Sequence, residues 1–350
     1  MRSLSDYIKA VCAELTMRRN YLQNEPVNTI YFGGGTPGLL ACKELNVIID
    51  EIDKQFSVSS NPEITLEVNP DDMTSDYVAE LKSTPVNRIS MGVQSFDDNE
   101  LLFLQRRHSA RQAVDAVKRC QSAGFENIGI DLMYGLPRQT IETWTNTLKQ
   151  AVRLNVKHIS GYHLTYEENT EIYRKLKNGL IMPCDEDTSV ELFNRLADKL
   201  MQAGFIHYEI SNFAQPGYFS KHNSSYWENG AYLGIGASAH SYNKISRDYT
   251  ISDTEKYIRM TLNGASALKT EQIDNDTAYN DYIVTSLRTI RGISPEKIKA
   301  EFGTEKETYC LTQSRKYLNN NLLESDGKIL RLTRKGMFVS DGIMADLLWV

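Results

Sequence analysis

Short runs of β-branched and apolar residues alternate along this chain with longer stretches whose apolar positions recur every three or four residues. The short runs Thr29–Phe32, Ile64–Glu67, Arg88–Gly92, Asn127–Asp131 and His158–Tyr162 predict strands. Helical spacing covers Cys42–Phe56, Ser75–Leu81, Ala110–Ala123 and Thr140–Leu154. Regular strand–helix alternation implies parallel strands joined by right-handed crossovers, and one strand per βα unit suits a full or partial barrel. Ser3 or Ser5 can cap an opening helix that runs to about Leu22. No strand precedes that helix, an unusual start for a βα chain.

Past Tyr162 the pattern changes. Helical spacing at Thr170–Lys177 and Asp185–Ala203 leads into a strand-like run, Phe205–Phe213, and then a turn-rich aromatic stretch, Gln215–Tyr242. Beyond about Ser252 the chain reads as a separate small domain. Its helices lie near Asp276–Arg288, Ser294–Phe302 and Lys306–Asn319, and two short strands, Leu322–Ser325 and Ile329–Leu332, flank the turn Asp326–Gly327. A last helix begins near Thr333 and carries Gly336 to Leu348. Helix–helix–hairpin in this order resembles a winged helix in a packing or lid role. Three segments follow from this reading: 1–170 as the barrel, 171–250 as its extension with the aromatic stretch, and 251–350 as the terminal domain.

Composition changes the picture in two respects. The net charge of −6 argues against a nucleic-acid surface as the main partner. The five cysteines (Cys12, Cys42, Cys120, Cys184 and Cys310) are scattered and odd in number, which fits reduced thiols in a cytoplasm rather than a disulfide framework. No two have C-x2-C or C-x3-C spacing, so neighbouring cysteines encode no metal site, and the metal-ligand expectation for this chain is none. There is also no apolar run long enough for a transmembrane span.

The residues with chemistry cluster where the predicted strands end, which is where ligands bind in parallel folds. Gly33-Gly34-Gly35-Thr36-Pro37 follows the first strand; glycines there allow positive φ and close approach of backbone N–H groups to a ligand, or simply a tight turn. Glu67 ends the second strand and can accept hydrogen bonds from hydroxyls or an amine, or cap the surface. Gln94 lies just past the third strand. Arg106 follows and can pair with a carboxylate, or stay a solvated helix charge. Asp131 ends the fourth strand before Gly135-Leu136-Pro137. Four such residues at four successive strand ends argue for a site.

With those residues in place, YFGGGTPGLL, LEVNPDDM, RISMGVQSFDDNELLFLQRRH and IGIDLMYGLPRQT resemble the radical S-adenosylmethionine (SAM) family of oxygen-independent coproporphyrinogen III oxidases and their HemW-type relatives. The resemblance covers nearly the whole chain. It implies an α/β fold: a partial (βα)6 barrel of TIM type, expected here without its first strand, plus the small winged-helix-like terminal domain. It also implies that Gly34, Gly35 and Thr36 hold the methionine part of SAM, and that Glu67, Gln94, Arg106, Asp131 and Thr165 contact SAM. His222-Asn223-Ser224-Ser225-Tyr226-Trp227, followed by YLGIGASAHSY, is similar to the HemW type, a haem-chaperone branch that the oxidase branch does not match in this motif. An imidazole can ligate haem iron, and Tyr and Trp can stack on a macrocycle. His222, Asn223, Tyr226, Trp227 and His240 are therefore the haem-binding candidates, with His222 and His240 both open as the ligand.

One feature departs from the family. The resemblance implies a [4Fe–4S] cluster on a C-x3-C-x2-C loop after the first strand, and these 350 residues carry no such triplet. The loop would stand before Met1, so two accounts are open: a start assigned too late, or a paralogue that lost it. An edge strand at Thr29–Phe32 would then be exposed to self-pairing, and a dimer is the expected consequence. The readings that follow are a cytoplasmic haem chaperone that hands haem to an acceptor protein, a coproporphyrinogen-type oxidative decarboxylase acting on a porphyrin precursor, and a nucleotide-shaped pocket without redox catalysis. Peripheral contact with a membrane stays open.

Overall fold

A computed structural model describes residues 4–350. The chain opens with α1 (Leu4–Met17) and β1 (Val27–Phe32) and then alternates: α2 (Cys42–Gln55), β2 (Val58–Val68), α3 (Ser75–Leu81), β3 (Arg88–Gln94), α4 (Asp98–Phe103), α5 (Ala110–Ser122), β4 (Asn127–Tyr134), α6 (Ile141–Arg153), β5 (His158–His163), α7 (Glu171–Lys177) and α8 (Glu186–Gln202). A hairpin follows, β6 (Ile206–Glu209) and β7 (Asn212–Ala214), and then α9 (Lys221–Trp227), β8 (His240–Tyr242), β9 (Ser246–Thr250), α10 (Thr254–Leu262) and β10 (Leu268–Gln272). The chain ends with α11 (Asn275–Leu287), α12 (Pro295–Phe302), α13 (Thr304–Asn319), β11 (Leu323–Ser325), β12 (Leu330–Leu332), α14 (Arg334–Phe338) and α15 (Ser340–Leu347). Two compact units emerge, each assembled from separate stretches of chain.

One unit comprises Tyr31–Cys42 and Glu63–Ser220. Seven strands form one sheet in the order β1-β2-β3-β4-β5-β7-β6. Strands β2 through β5 pair in parallel, and the β6–β7 hairpin adds to β5 antiparallel. Period-two alternation fixes which face each residue joins. Ile89, Met91 and Val93 on β3, and Ile128, Ile130 and Leu132 on β4, are buried. The intervening positions, Arg88, Ser90, Gly92 and Gln94 with Asn127, Gly129 and Asp131, form a polar face. The helices supply apolar stripes at helical spacing: Ala113, Ala116, Val117 and Cys120 on α5, and Trp144, Leu148 and Ala151 on α6. Trp144 is wholly buried and its indole N–H donates to the Leu192 carbonyl at 2.9 Å, so the large ring leaves no unmet donor. Each of α5 and α6 starts with a reciprocal capping box, on Ser109 and Gln112 and on Thr140 and Thr143.

The other unit comprises Met1–Ile30, Lys43–Pro62 and Lys221–Val350. Its three-stranded antiparallel sheet runs β10-β9-β8. A buried ion set ties the end of α1 to β8, β9, α10 and the segment before β8. The Arg18 guanidinium donates to Asp248 at 2.6 Å and to Ser241 Oγ at 3.0 Å, and Glu14 Oε2 accepts from Tyr257 OH at 2.8 Å and from the Gly236 N–H at 2.9 Å. Buried charges are tolerated when hydrogen-bonded this fully. Helices α12 and α13 precede the hairpin of β11 and β12, which closes through Gly327 at φ 85°.

Several expectations need correction. The opening helix ends at Met17, not near Leu22; residues 18–24 go on as turns, and Gln23 and Asn24, with φ of 51° and 64°, turn the chain left-handed before β1. Ser5 sits inside that helix rather than capping it, and Ser3 lies outside the described residues. The strand-like run 205–213 is a tight antiparallel hairpin, with His207 Nε2 at 3.1 Å from the Ile210 carbonyl across its turn. The turn-rich stretch 215–242 contains helix α9, and the last helix breaks at Val339 into α14 and α15.

Candidate functional site

At the strand ends of the Tyr31–Ser220 unit, the sequence-selected residues converge in part. Gly34 and Gly35 take φ of 74° and 69°, which only glycine adopts without strain, and the three glycines of the loop are exposed. Gly33 is needed for a different reason: a Cβ there would stand 2.5 Å from the Tyr31 ring. Glu67 is fixed from two sides. Its Oε1 accepts from Tyr31 OH at 2.6 Å and its Oε2 accepts from the Gly34 N–H at 3.2 Å. Burial first, and then the Glu67 carboxylate, push the Tyr31 phenol far above its ordinary range, so it stays a donor.

Arg106 is held by its Nη2, which donates to Asn69 Oδ1 at 2.6 Å and to the Gly92 carbonyl at 3.1 Å. Gly92 makes room for this: a Cβ would meet Gln94 Nε2 at 3.0 Å and Arg106 Nη2 at 3.3 Å. Gln94 itself adopts φ 69°, rare for a residue with a side chain, and backbone strain of this kind gathers at functional positions. Asp131 keeps part of its area open, yet the protein surrounds its carboxyl densely. Burial therefore pushes it up to about 6; a hydrogen bond from Ser160 opposes this, Glu67 adds to it, and Arg88 and Arg106 oppose it. Glu67, Arg106 and Asp131 thus share one electrostatic environment. Thr36 opens a short 3-10 turn without using its side chain as a cap, and Thr165 stands exposed just beyond β5. Sequence reasoning missed Tyr31, Asn69 and Ser160. Asn69 sits inside the LEVNPDDM motif and Tyr31 opens YFGGGTPGLL, so the neighbourhood of both was signalled; nothing local marks Ser160.

The second candidate lies in the other unit. His222 and Tyr226 are one helical turn apart on α9, and their rings meet edge-on at 5.0 Å. Both nitrogens of the imidazole are engaged: Nδ1 lies 2.8 Å from Thr29 Oγ1 and Nε2 lies 2.9 Å from Tyr226 OH. Tyr226 packs edge-on against Tyr232 at 4.6 Å, and burial pushes its phenol up to about 12. Trp227 lies under the Arg288 guanidinium, 4.9 Å from carbon to ring centroid. Asn223 is half-buried on the same helix. His240 opens β8, exposed, with Tyr249 edge-on at 4.8 Å. Thr29, the partner of His222, was another residue the sequence did not single out.

Comparison with known proteins decides the family. A model of the radical SAM superfamily matches residues 13–151, and one of the HemN C-terminal domain matches residues 273–339. A protein of Lactococcus lactis named heme chaperone HemW is 32% identical over 93% of this chain and 85% of its own length. The chain belongs to the HemW family of radical SAM proteins. The Bacillus subtilis heme chaperone HemW is 29% identical over 99% of this chain and 92% of its own length. The solved structure of coproporphyrinogen III oxidase, HemN, from Escherichia coli overlays with a TM-score of 0.85 at 21% identity, covering 98% of this chain and 83% of that one, and shows a common fold.

Radical SAM proteins hold an iron–sulfur cluster on cysteine thiolates. In this HemW-family chain Cys12 lies on α1, Cys42 on α2, Cys120 on α5, Cys184 after α7 and Cys310 on α13. Burial raises the thiols of Cys12, Cys42, Cys120 and Cys310 above their ordinary value, which favours the protonated form over the ligating thiolate. Among the described residues no three metal-binding side chains converge. The cysteines described therefore do not fit a [4Fe–4S] cluster. No helix among the described residues is long and apolar enough to cross a membrane.

Proposed function

We propose that this chain is a haem chaperone, which binds haem at the aromatic α9 segment, delivers it to acceptor proteins, and binds SAM at its strand-end site. The observation that carries this reading is the likeness to proteins named heme chaperone HemW over more than nine-tenths of the chain. The chemistry of both sites is compatible with it. When bound, SAM supplies a sulfonium joined to an amino acid and an adenosine. Arg106 suits its carboxylate, since Asn69 and Gly92 occupy only one of the guanidinium nitrogens. Glu67 and Asp131 suit its ammonium and hydroxyl groups, and Gly34 and Gly35 bring backbone close to it.

For the haem cargo, α9 and β8 offer two imidazoles and a row of aromatic faces. His240 is exposed, whereas His222 must exchange its contact with Tyr226 before Nε2, or with Thr29 before Nδ1, can meet a metal. A dimer formed through β1, an end strand of its sheet, completes the proposal.

Titration of the purified protein with ferric haem, followed through the Soret band, tests the reading. Saturable uptake at one haem per chain, weakened by His222→Ala or by His240→Ala, is expected. An absorbance that rises linearly without saturation would remove it.

A further inference from the structure

We infer that Arg288 and Trp227 form a carboxylate-recognition site, and that it anchors a propionate of the haem cargo; the inference rests on the haem-chaperone reading above. Arg288 caps the C-terminal end of α11, and its guanidinium carbon lies 4.9 Å from the ring centroid of Trp227, the last residue of α9. Both side chains are half-buried. Their Nε atoms, Arg288 Nε and Trp227 Nε1, are buried and find no hydrogen-bond acceptor among the described residues. Buried donors rarely stay unmet, because each one left unpaired costs the desolvation of its N–H.

Nearby acids do not fill this role. Glu228, the residue after Trp227, is paired with Arg291 at 2.5 Å, and Asp281 on α11 is paired with Arg247 at 2.7 Å. What remains is a cation and a neutral donor side by side, with no anion between them. A group with two acceptor oxygens and a negative charge satisfies both at once, and a carboxylate matches the planar fork of a guanidinium better than a point acceptor does. The anions that a haem carries are its two propionates. The same pair stands at the end of α9, the helix that bears His222, so a macrocycle held by that helix would be gripped at its rim. Two half-buried side chains exchange rotamers quickly enough to admit it.

The test uses the full chain and two porphyrins, ferric protoporphyrin IX and its dimethyl ester, which lacks the free carboxylates. The wild type should bind the free acid about tenfold more tightly than the ester, as loss of a charge-assisted hydrogen bond predicts. Arg288→Met keeps a long apolar stem over Trp227 and should bind both alike, with the ester affinity of the wild type, which also shows that the variant is folded. Arg288→Lys keeps the charge and loses the fork, and should recover only part of the preference. Equal affinity of the wild type for acid and ester would overturn the inference while leaving haem binding standing, as would an Arg288→Met protein that still prefers the acid. Failure of the wild type to bind either porphyrin would instead overturn the haem reading, and this contact with it.

Discussion

At the strand ends, internal hydrogen bonds hold the charged groups and leave them aimed; on α9, internal hydrogen bonds cover the group that would bind. Glu67 is steadied by Tyr31 and Gly34, and Arg106 by Asn69 and Gly92, yet each keeps capacity for a ligand. His222 has Thr29 on one nitrogen and Tyr226 on the other. A ligand at the first site meets a prepared arrangement and gains most of each contact it makes. A ligand at the second must displace a contact already made, so its net gain is smaller and its binding is easier to reverse. For a protein that must release a cargo, the second arrangement is the appropriate one.

The comparison breaks most readily at Arg106. Arg106→Ala removes the carboxylate partner and also strands Asn69 Oδ1 and the Gly92 carbonyl. SAM affinity should fall on the order of a hundredfold, about 3 kcal/mol, by the usual worth of charged hydrogen bonds. Equilibrium dialysis with labelled SAM measures it, and an affinity within twofold of wild type would mean that the strand ends are not the SAM site. Haem uptake should be unchanged in the same variant.

Much of the first site was legible because its residues fall at strand ends, and period-two alternation places strand ends well. Glu67, Arg106 and Asp131 do share one environment. Tyr31 was marked only as the first residue of a motif, its bond to Glu67 not being readable from spacing; Ser160 was not legible at all, because it stands beside Asp131 only through the β4–β5 pairing. The second site was legible as a motif and not as a shape. Seven residues of α9 sit in a stretch rich in turn formers, where local preference gives no sign of a helix, and tertiary packing decides. Thr29 was out of reach for a similar reason. It lies 193 positions from His222, and no local pattern links the two.

Asp131 tests whether the prepared site carries a cost when unliganded. Its carboxyl titrates near 6 in the folded protein against 3.8 ordinarily. Between those values the unfolded chain has released the proton and the folded one retains it, so stability should be greatest at the acid end and decline as pH rises from about 4 to about 6. The decline attributable to this group is up to about 3 kcal/mol. Asp131→Asn has no proton to lose, so urea midpoints measured from pH 4 to pH 7 should lack that part of the slope. Parallel profiles for the two proteins would mean that Asp131 is solvated and the site less enclosed than its packing indicates.

A smaller effect is expected at Glu67. Glu67→Gln keeps an oxygen for Tyr31 OH but gives up the charge that draws in the Gly34 N–H and a ligand ammonium. A loss of about tenfold in SAM affinity follows from one weakened charged contact. Convergence of the two affinities at high salt, with the wild type falling to the variant's level, would argue that only long-range charge matters there, since contacts inside a packed site are poorly screened.

The smallest effect bears most directly on the covered imidazole. In the tautomer that carries its proton on Nδ1, Thr29 Oγ1 accepts from His222, the Nε2 lone pair faces Tyr226 OH, and Thr29 plays the part that a carbonyl or carboxylate commonly plays behind a metal-bound histidine. Tyr226→Phe keeps the ring against Tyr232 and removes only the hydroxyl. If Nε2 is the haem ligand, the variant no longer has to break that hydrogen bond, and haem should bind about three- to tenfold more tightly, the worth of one neutral hydrogen bond. If His240 is the ligand, Tyr226→Phe should leave affinity unchanged and His240→Ala should reduce it. Transfer gives a second reading of the same change. A tighter hold without a new contact to the acceptor should slow release by a similar factor, so a Tyr226→Phe protein that binds more tightly yet delivers haem at the wild-type rate would show that the phenol does not help to expel the cargo.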